Sequence, residues 1–362
     1  MVGAMSETPP PTSADEPGLK SLCRPDLQLG CAVGGVLPGS LAPHEQAALT
    51  RHFGVITPEN CMKPGPIHPE PDRYDFTASD AFVRFAEAHG LRVVGHTLVW
   101  HSQCPSWFFE DGGGSASRTQ VLERMEAHIH TVLGRYRGKV QGWDVVNEAI
   151  ADRGDDDLRP TRWLETIGED YLDHAFRFAR QADATLELYY NDYNIERADK
   201  RERTLRMLRG LLERGAQIDG VGIQGHWQLD KVPYADIARS IEEYSALGLR
   251  VMFTELDLDV VDRLDSGADV SAHQAYALPD PYPSGCPESV LERQAAQYEQ
   301  LFELFERYPR AVTRATFWGL HDGLSWLNHW PGKRTNYPLL FDRESRPKPA
   351  FHAVGRALRR RI

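Results

Sequence analysis

The sequence has no long apolar segment and no excess of positive charge. None of its uninterrupted apolar runs approaches the ~18 residues that a membrane-spanning helix needs, and 52 acidic residues outnumber 41 basic ones, giving a formal charge of −11. Nucleic acids and anionic membranes are bound by clustered cationic surfaces, whereas the one dense basic run, residues 356–361, is a short Arg-rich tail. We therefore expect neither a nucleic-acid partner nor a membrane partner.

Cysteine is scarce, and the usual metal motifs and an early phosphate-binding loop are missing. The five cysteines are scattered, and the sequence has no C-x-x-C pair and no H-x-x-x-H pair. No glycine-rich phosphate-binding loop of the G-x-G-x-x-G or G-x-x-x-x-G-K-[ST] type follows an early strand. These absences predict a protein with no bound metal and no cofactor.

Residues 1–19 differ in composition from the rest of the chain. They are rich in Pro, Ser, Thr and acidic residues and lack the basic start and apolar core of a signal peptide, so we predict a disordered leader.

Residues 20–362 are predicted to form one catalytic domain, and we expect a monomer. Two locations stay open: cytoplasmic, or secreted or periplasmic if a native export signal has been replaced.

Short apolar segments rich in β-branched and aromatic residues alternate with longer amphipathic ones. Eight strands are predicted, over residues 27–33, 55–59, 92–100, 140–148, 185–192, 220–226, 250–257 and 314–320. Strict alternation of strand and helix favours parallel strands joined by right-handed crossovers, and eight such units predict a single (β/α)₈ TIM barrel in the α/β class. An open doubly wound sheet and two smaller domains are the alternatives.

Two of the predicted strands end in a glutamate. The fourth ends W-D-V-V-N-E at Glu148, and the seventh ends F-T-E-L-D, with Glu255 at its centre. The carboxyl ends of barrel strands form the face on which active sites lie, and two carboxylates in one cavity are what glycoside hydrolysis needs. Taken alone, either glutamate is better explained as a surface residue at the start of a loop than as a catalytic one.

The ends of the other predicted strands are also polar or aromatic. Polar side chains bind sugar hydroxyls, and the apolar faces of sugar rings pack on Trp and Tyr. The residues of this type are Glu59, Asn60, Lys63, His96, Trp100, Gln103, Asn191, Tyr193, Gln224, His226 and Trp318. Together with the two glutamates, they indicate a carbohydrate site at one mouth of the barrel.

Six further segments follow one another along the chain: G-H-T-L-V-W-H-S-Q at 95–103, W-D-V-V-N-E-A at 143–149, Y-N-D-Y-N at 190–194, G-I-Q-G-H at 222–226, T-E-L-D at 254–257 and P-L-L-F-D at 338–342. In this order they resemble glycoside hydrolase family 10, the endo-β-1,4-xylanases. The similarity covers about residues 26–356. It implies a retaining endo-xylanase that acts on xylan and xylo-oligosaccharides.

The resemblance also implies roles for individual residues. Glu148 is expected to be the acid/base and Glu255 the nucleophile, with carboxyl groups about 5–5.5 Å apart as in retaining enzymes. Asn147 is expected to bind the sugar 2-hydroxyl, and His226 to hold Glu255 with help from Asp257.

Substrate contacts follow from the same resemblance. On the non-reducing side of the cleaved bond we expect Glu59, Asn60, Lys63, His96, Trp100 and Gln103, with Trp318 and Trp326 over the sugar rings. Tyr193 is expected to stack on the reducing-end side, and Asn191 and Gln224 to belong to the substrate-binding set. His321, Leu324 and Leu327 depart from the family pattern and are expected at the cleft edge, and the long 262–287 connection is expected to overhang the face.

Two other functions stay open at this point. A related retaining barrel enzyme could use the same carboxylates on β-1,4-glucan or mannan. A noncatalytic xylan-binding barrel could use the same rim without hydrolysis, although both glutamates would then have no purpose.

Overall fold

The computed structural model describes residues 17–154, 156–263 and 279–360. Within these ranges, eight parallel strands form a ring: β1 Gln28–Val33, β2 Val55–Pro58, β3 Arg92–Trp100, β4 Gly142–Asn147, β5 Glu187–Asp192, β6 Gly220–Ile223, β7 Arg250–Asp259 and β8 Val312–Phe317. Strand β8 pairs with both β7 and β1, which closes the sheet on itself. The predicted (β/α)₈ TIM barrel is confirmed, and an open sheet is excluded because the ring has no free edge.

In the same part of the chain, eight long helices surround the ring: α1 Pro43–His52, α2 Thr77–Ala88, α3 Arg118–Tyr136, α4 Tyr171–Ala182, α5 Ala198–Glu213, α6 Tyr234–Ser245, α7 Glu288–Glu306 and α8 Pro349–Arg359. Helix α3 shows why such segments are helical. Ser117 caps its first turn, and Val121, Met125 and Ile129 are buried at intervals of four residues. The apolar stripe packs inward, and the polar face stays in solvent.

The sixth strand is shorter than predicted. It ends at Ile223, and after a turn the short strand His226–Gln228 pairs separately with β7. Gly225 makes this turn with φ +83°, and a Cβ at this position would lie 2.7 Å from the Leu256 side chain. Only glycine fits both constraints, and the turn brings Gln224 and His226 to the C-terminal mouth.

The predicted boundary between leader and domain falls inside packed structure. Residues Leu19–Leu22 form a short helix, and the Leu19 side chain is 1% exposed in the core. The first 16 residues of the predicted leader lie outside the described residues, as do residues 264–278 of the long 262–287 connection. Among the described helices, none is both long and apolar enough to cross a membrane.

Candidate active site

A cavity of about 130 Å³ opens at the C-terminal mouth of the barrel. Its wall is formed by residues that lie within or after six of the strands. They are Glu59, Asn60, Lys63, His96, Trp100, Gln103, Asn147, Glu148, Gln224, His226, Glu255, Trp318 and Trp326. Every residue of this wall was predicted from sequence, and three predicted residues, Asp257, Asn191 and Tyr193, do not line it.

Glu148 is buried at the end of β4 and held by two donors. Trp100 Nε1 donates to its Oε2 at 2.8 Å, and Gln224 Nε2 donates to its Oε1 at 2.9 Å. Burial raises the pKa of Glu148 above its ordinary value, an effect that these hydrogen bonds only partly oppose. The residue also has φ +57°, a conformation that non-glycine residues rarely adopt and that marks many functional sites. This environment suits a carboxylic acid that gives up a proton.

Glu255, in the middle of β7, has the opposite electrostatic environment. Its Oε1 accepts a hydrogen bond from Asn191 Nδ2 at 2.9 Å, and its Oε2 lies 3.2 Å from His226 Nε2. Burial by itself would raise the pKa of Glu255, but the His226 hydrogen bond, the nearby imidazoles and Asn191 outweigh it and lower the pKa. Glu255 is therefore ionised and held in place by donors.

His226 links Glu255 to a second buried carboxylate. Its Nδ1 lies 2.9 Å from Asp257 Oδ2, which also accepts a hydrogen bond from Trp326 Nε1 at 2.8 Å. Burial would lower the pKa of His226, but Asp257 and Glu255 raise it to about 9. At neutral pH the ring is an imidazolium that donates to both carboxylates, so Asp257 acts through His226 rather than on the cavity.

One amide oxygen connects the surroundings of the two glutamates. Asn147 Oδ1 accepts from Asn191 Nδ2 at 2.8 Å and from Gln224 Nε2 at 3.5 Å. Asn191 also donates to Glu255, and Gln224 also donates to Glu148. Since the oxygen of Asn147 is used in this way, its NH₂ group is the end that can donate to a ligand.

The wall formed after β2 carries a buried cation. Lys63 Nζ donates to Asn60 Oδ1 at 3.0 Å and lies 4.8 Å from the centre of the Trp100 ring. Burial lowers the pKa of Lys63, while Glu59, Glu255 and Glu148 act to raise it. For Glu59 the effect of burial is to raise the pKa, and the positive charge of Lys63 opposes that shift. The amino group of Lys63 and the carboxyl group of Glu59 both line the cavity, where they can form hydrogen bonds with sugar hydroxyls.

Aromatic rings close the cavity on the side of β8. Trp318 lies edge-on to His96, with ring centres 5.4 Å apart, and Trp326 lies 4.9 Å from the His226 ring. Trp330 stacks on Trp326, with ring centres 4.7 Å apart. The two predicted tryptophans therefore stand at the wall, and Trp330 supports one of them.

The structure gives Asn191 and Tyr193 positions away from the cavity. Asn191 is fully buried and spans Asn147, Glu255 and Thr254, whose hydroxyl donates to Asn191 Oδ1 at 2.6 Å. Tyr193 is 2% exposed, and its hydroxyl contacts Arg159 and Asp152, both at 2.6 Å. Both side chains turn toward residues of neighbouring elements. The pattern of residues at the strand ends does not reveal these contacts.

The expected cleft edge is also different in the structure. Leu327 is completely buried, and His321 is 5% exposed with its Nε2 3.0 Å from Glu45 of α1. Leu324 is partly buried against the core. His321 and Leu327 therefore secure the β8 loop to the barrel instead of shaping the cleft.

Sequence reasoning missed several supporting residues. Asp144 Oδ2 lies 2.9 Å from His96 Nδ1, and Arg159 Nε donates to the backbone oxygen of Glu148 at 3.2 Å. Asp144 stands opposite His96 on the adjacent parallel strand, a register that only the folded sheet defines. No sequence motif around Arg159 indicates a role in the site, because this residue reaches Glu148 from a loop. In the described ranges, no group of three or more His, Cys, Asp or Glu residues is placed to hold a metal ion.

Comparison with known proteins identifies the group to which this architecture belongs. Residues 19–357 match the profile of glycosyl hydrolase family 10. The chain is 40% identical over 324 residues to endo-1,4-beta-xylanase B of Paenibacillus barcinonensis, an alignment covering 89% of this chain and 94% of the relative. It is 40% identical over 341 residues to an endo-1,4-beta-xylanase of Geobacillus stearothermophilus, covering 93% and 98% of the two chains.

Solved structures agree with the sequence matches. A GH10 endoxylanase retrieved from a sugarcane soil metagenome superposes with a TM-score of 0.88 at 38% identity, covering 94% of this chain and 99% of the other. Fold and sequence similarity thus both extend over nearly the whole chain. The chain belongs to glycosyl hydrolase family 10, the family of endo-β-1,4-xylanases.

Proposed function

We propose that this protein cleaves internal β-1,4 linkages of xylan with retention of configuration, using Glu148 as acid/base and Glu255 as nucleophile. The observation that carries the proposal is the contrast between two buried glutamates in one cavity. Burial raises the pKa of Glu148, whereas Glu255 has its pKa lowered by donors that overcome burial. Pairs of carboxyl groups whose pKa values are pushed apart are the usual signature of an acid and a nucleophile.

The first step transfers the sugar to the enzyme. Glu255 Oε attacks the anomeric carbon and forms an ester bond, while the glycosidic carbon–oxygen bond breaks. The proton of Glu148 goes to the departing oxygen, so the leaving chain departs as an alcohol. Asn191 and the His226 imidazolium hold the attacking carboxylate by its two oxygens, which limits the directions from which it can approach.

The second step releases the product. Glu148, now a carboxylate, takes a proton from water, and the oxygen of that water attacks the anomeric carbon as the ester bond to Glu255 breaks. Trp100 and Gln224 stabilise the ionised form of Glu148 at this stage. The enzyme returns to its starting protonation, and two inversions give net retention.

Xylan is the substrate that best fits the wall on the non-reducing side. Asn147 can donate to the sugar 2-hydroxyl, and Lys63, Glu59 and His96 surround the neighbouring ring position together with Trp318. A volume of about 130 Å³ leaves little space next to these side chains. Xylose lacks the hydroxymethyl group that glucose and mannose carry, so it avoids a clash in such a narrow space.

The pH dependence of kcat/KM should be bell-shaped. Activity falls on the acidic side as Glu255, whose pKa is lowered by its donors, becomes protonated, and on the basic side as Glu148, whose pKa is raised by burial, loses its proton. Trp100→Phe removes a hydrogen bond that stabilises ionised Glu148. Its pKa should rise, and the basic limb should move to higher pH while the acidic limb stays. Initial rates on phenyl xylobioside, a soluble substrate whose leaving group needs a proton, give both limbs across the pH range.

Trp107→Phe is the matched control for this substitution. The Trp107 indole donates to the backbone oxygen of His68, outside the cavity, so neither limb should move. A Trp100→Phe profile whose acidic limb moves instead, or whose limbs both stay, contradicts the assignment of the raised pKa to Glu148.

Two measurements test the proposed function directly. Release of reducing ends should be at least about tenfold faster on xylan than on cellulose or mannan, as expected when one group on the sugar fails to fit. Incubation with a 2-deoxy-2-fluoro xylobioside bearing a good leaving group should add one glycosyl mass to a peptide containing Glu255. Binding of xylan without oligosaccharide release, faster hydrolysis of another polymer, or a label on a different residue would each reject part of the proposal.

A further inference from the structure

A second cavity lies at the opposite, N-terminal mouth of the barrel. It has a volume of about 460 Å³ and is lined by residues at the starts of β1, β3, β5, β7 and β8. Four of its lining residues are arginines and two are acidic: Arg92, Arg250, Arg310 and Arg314 against Asp26 and Glu187. A local excess of positive charge is unusual in a chain of formal charge −11.

The acidic residues neutralise only part of this charge. Glu187 is already engaged, because its Oε1 accepts from Arg250 at 2.9 Å and its Oε2 accepts from the Tyr189 hydroxyl. Arg92 acts on the same carboxylate electrostatically. Among the described residues, neither Arg310 nor Arg314 takes part in an ion pair, so two guanidinium charges remain uncompensated.

Arg314 is the unusual member of this group. Sheet register places it beside Gln28 of β1 and Met252 of β7, at the first layer of the barrel. The residue is 4% exposed, and within the described part of the chain its Nε is buried without a hydrogen-bond partner. Its guanidinium lies 4.9 Å from the centre of the Tyr189 ring. A buried cation without a counter-ion is costly, and a bound anion would remove that cost.

We propose that this cavity binds a small oxyanion, a phosphate or carboxylate group, between Arg314 and Arg310. A guanidinium offers several N–H donors in a planar fork that matches both kinds of anion. Arg250, held by Glu187, and Arg92 add positive potential at the cavity wall. The site is separate from the catalytic cavity, because the two lie at opposite ends of the strands and share no lining residue.

Calorimetric titration of the full chain tests the site, with inorganic phosphate and glucuronate as probes at constant ionic strength. We expect saturable binding of one or both probes with a stoichiometry of one. Arg314→Met keeps the length of the side chain and its packing on Tyr189 but removes the charge, and should weaken binding by at least about tenfold. Arg310→Gln, at an exposed position, should weaken it less and leave xylan hydrolysis unchanged.

Arg239→Gln provides the matched control. Arg239 is an exposed arginine of α6 that pairs with Glu243 at 2.9 Å, so its loss changes the net charge equally without touching the cavity. Binding of phosphate alone supports a phosphate-bearing ligand, and binding of glucuronate alone supports an acidic sugar. If neither probe saturates, or if both cavity variants bind like wild type, the proposal is wrong. Should Arg314→Met fail to fold, Arg310→Gln decides alone.

Discussion

Glu255→Ala should lower the rate of xylan hydrolysis by about 10⁴-fold or more, because it removes the nucleophile itself. The loss should be similar on xylan and on aryl xylobiosides with good leaving groups, since both need attack at the anomeric carbon. His226 and Asn191, which now hold Glu255 at 3.2 Å and 2.9 Å, would remain beside an empty space. Initial rates on the two substrates measure the effect.

Added azide should partly restore this variant by occupying that space. Attack on the face normally used by Glu255 in a single displacement gives a glycosyl azide of inverted, α configuration, which NMR distinguishes. Glu87→Gln, on the exposed face of α2, is the control and should retain wild-type rates. Full activity of Glu255→Ala would reject the nucleophile assignment, and so would a β-glycosyl azide.

Glu148→Ala should separate substrates by their leaving groups. On xylan, whose leaving alcohol needs a proton, the rate should fall by about 10²–10⁴-fold. On a dinitrophenyl xylobioside, which leaves without protonation, the first step should stay near wild type. The second step lacks its base, so the glycosyl-enzyme should accumulate, and a burst of released phenol should precede a slow steady state.

Azide should accelerate this steady state, because an anionic nucleophile needs no general base. The product should be a β-glycosyl azide, formed by a second inversion at the ester with Glu255. Thermal unfolding should be checked alongside, because the variant leaves the Trp100 and Gln224 donors without their carboxylate. Equal losses on both substrates, or no azide effect, would contradict the acid/base assignment.

Much of the fold could be predicted because its signals are local. Strand β3 has the bounds that were predicted, 92–100, since hydrophobic periodicity depends only on near neighbours in sequence. The end of β6 was wrong because a single glycine, Gly225, turns the chain in a run that otherwise reads as continuous strand. The mouth residues were found because each follows a strand, and parallel strands bring their ends together.

Side-chain direction could not be predicted in the same way. Asn191 and Tyr193 stand at a strand end like Gln224, but Asn191 turns to Glu255 and Asn147, and Tyr193 turns to Arg159 and Asp152. In these four contacts the two residues are 34 to 64 positions apart in the sequence. His321 was similarly misplaced because its partner Glu45 is 276 residues away.

The amino-acid pattern thus predicted which residues could meet, because alternating elements favour a barrel and the strand ends of a barrel form its mouth. Only the tertiary structure decided the contacts and the pKa shift of each residue at that mouth. Glu148 and Glu255 are the same amino acid, and burial raises the pKa of one while His226 and Asn191 lower that of the other. The same holds at the N-terminal mouth. In the sequence Arg314 is an ordinary strand residue, and only packing shows that it is buried beside Tyr189. Desolvation and the placement of distant donors are properties of packing, and they follow from no short segment of sequence.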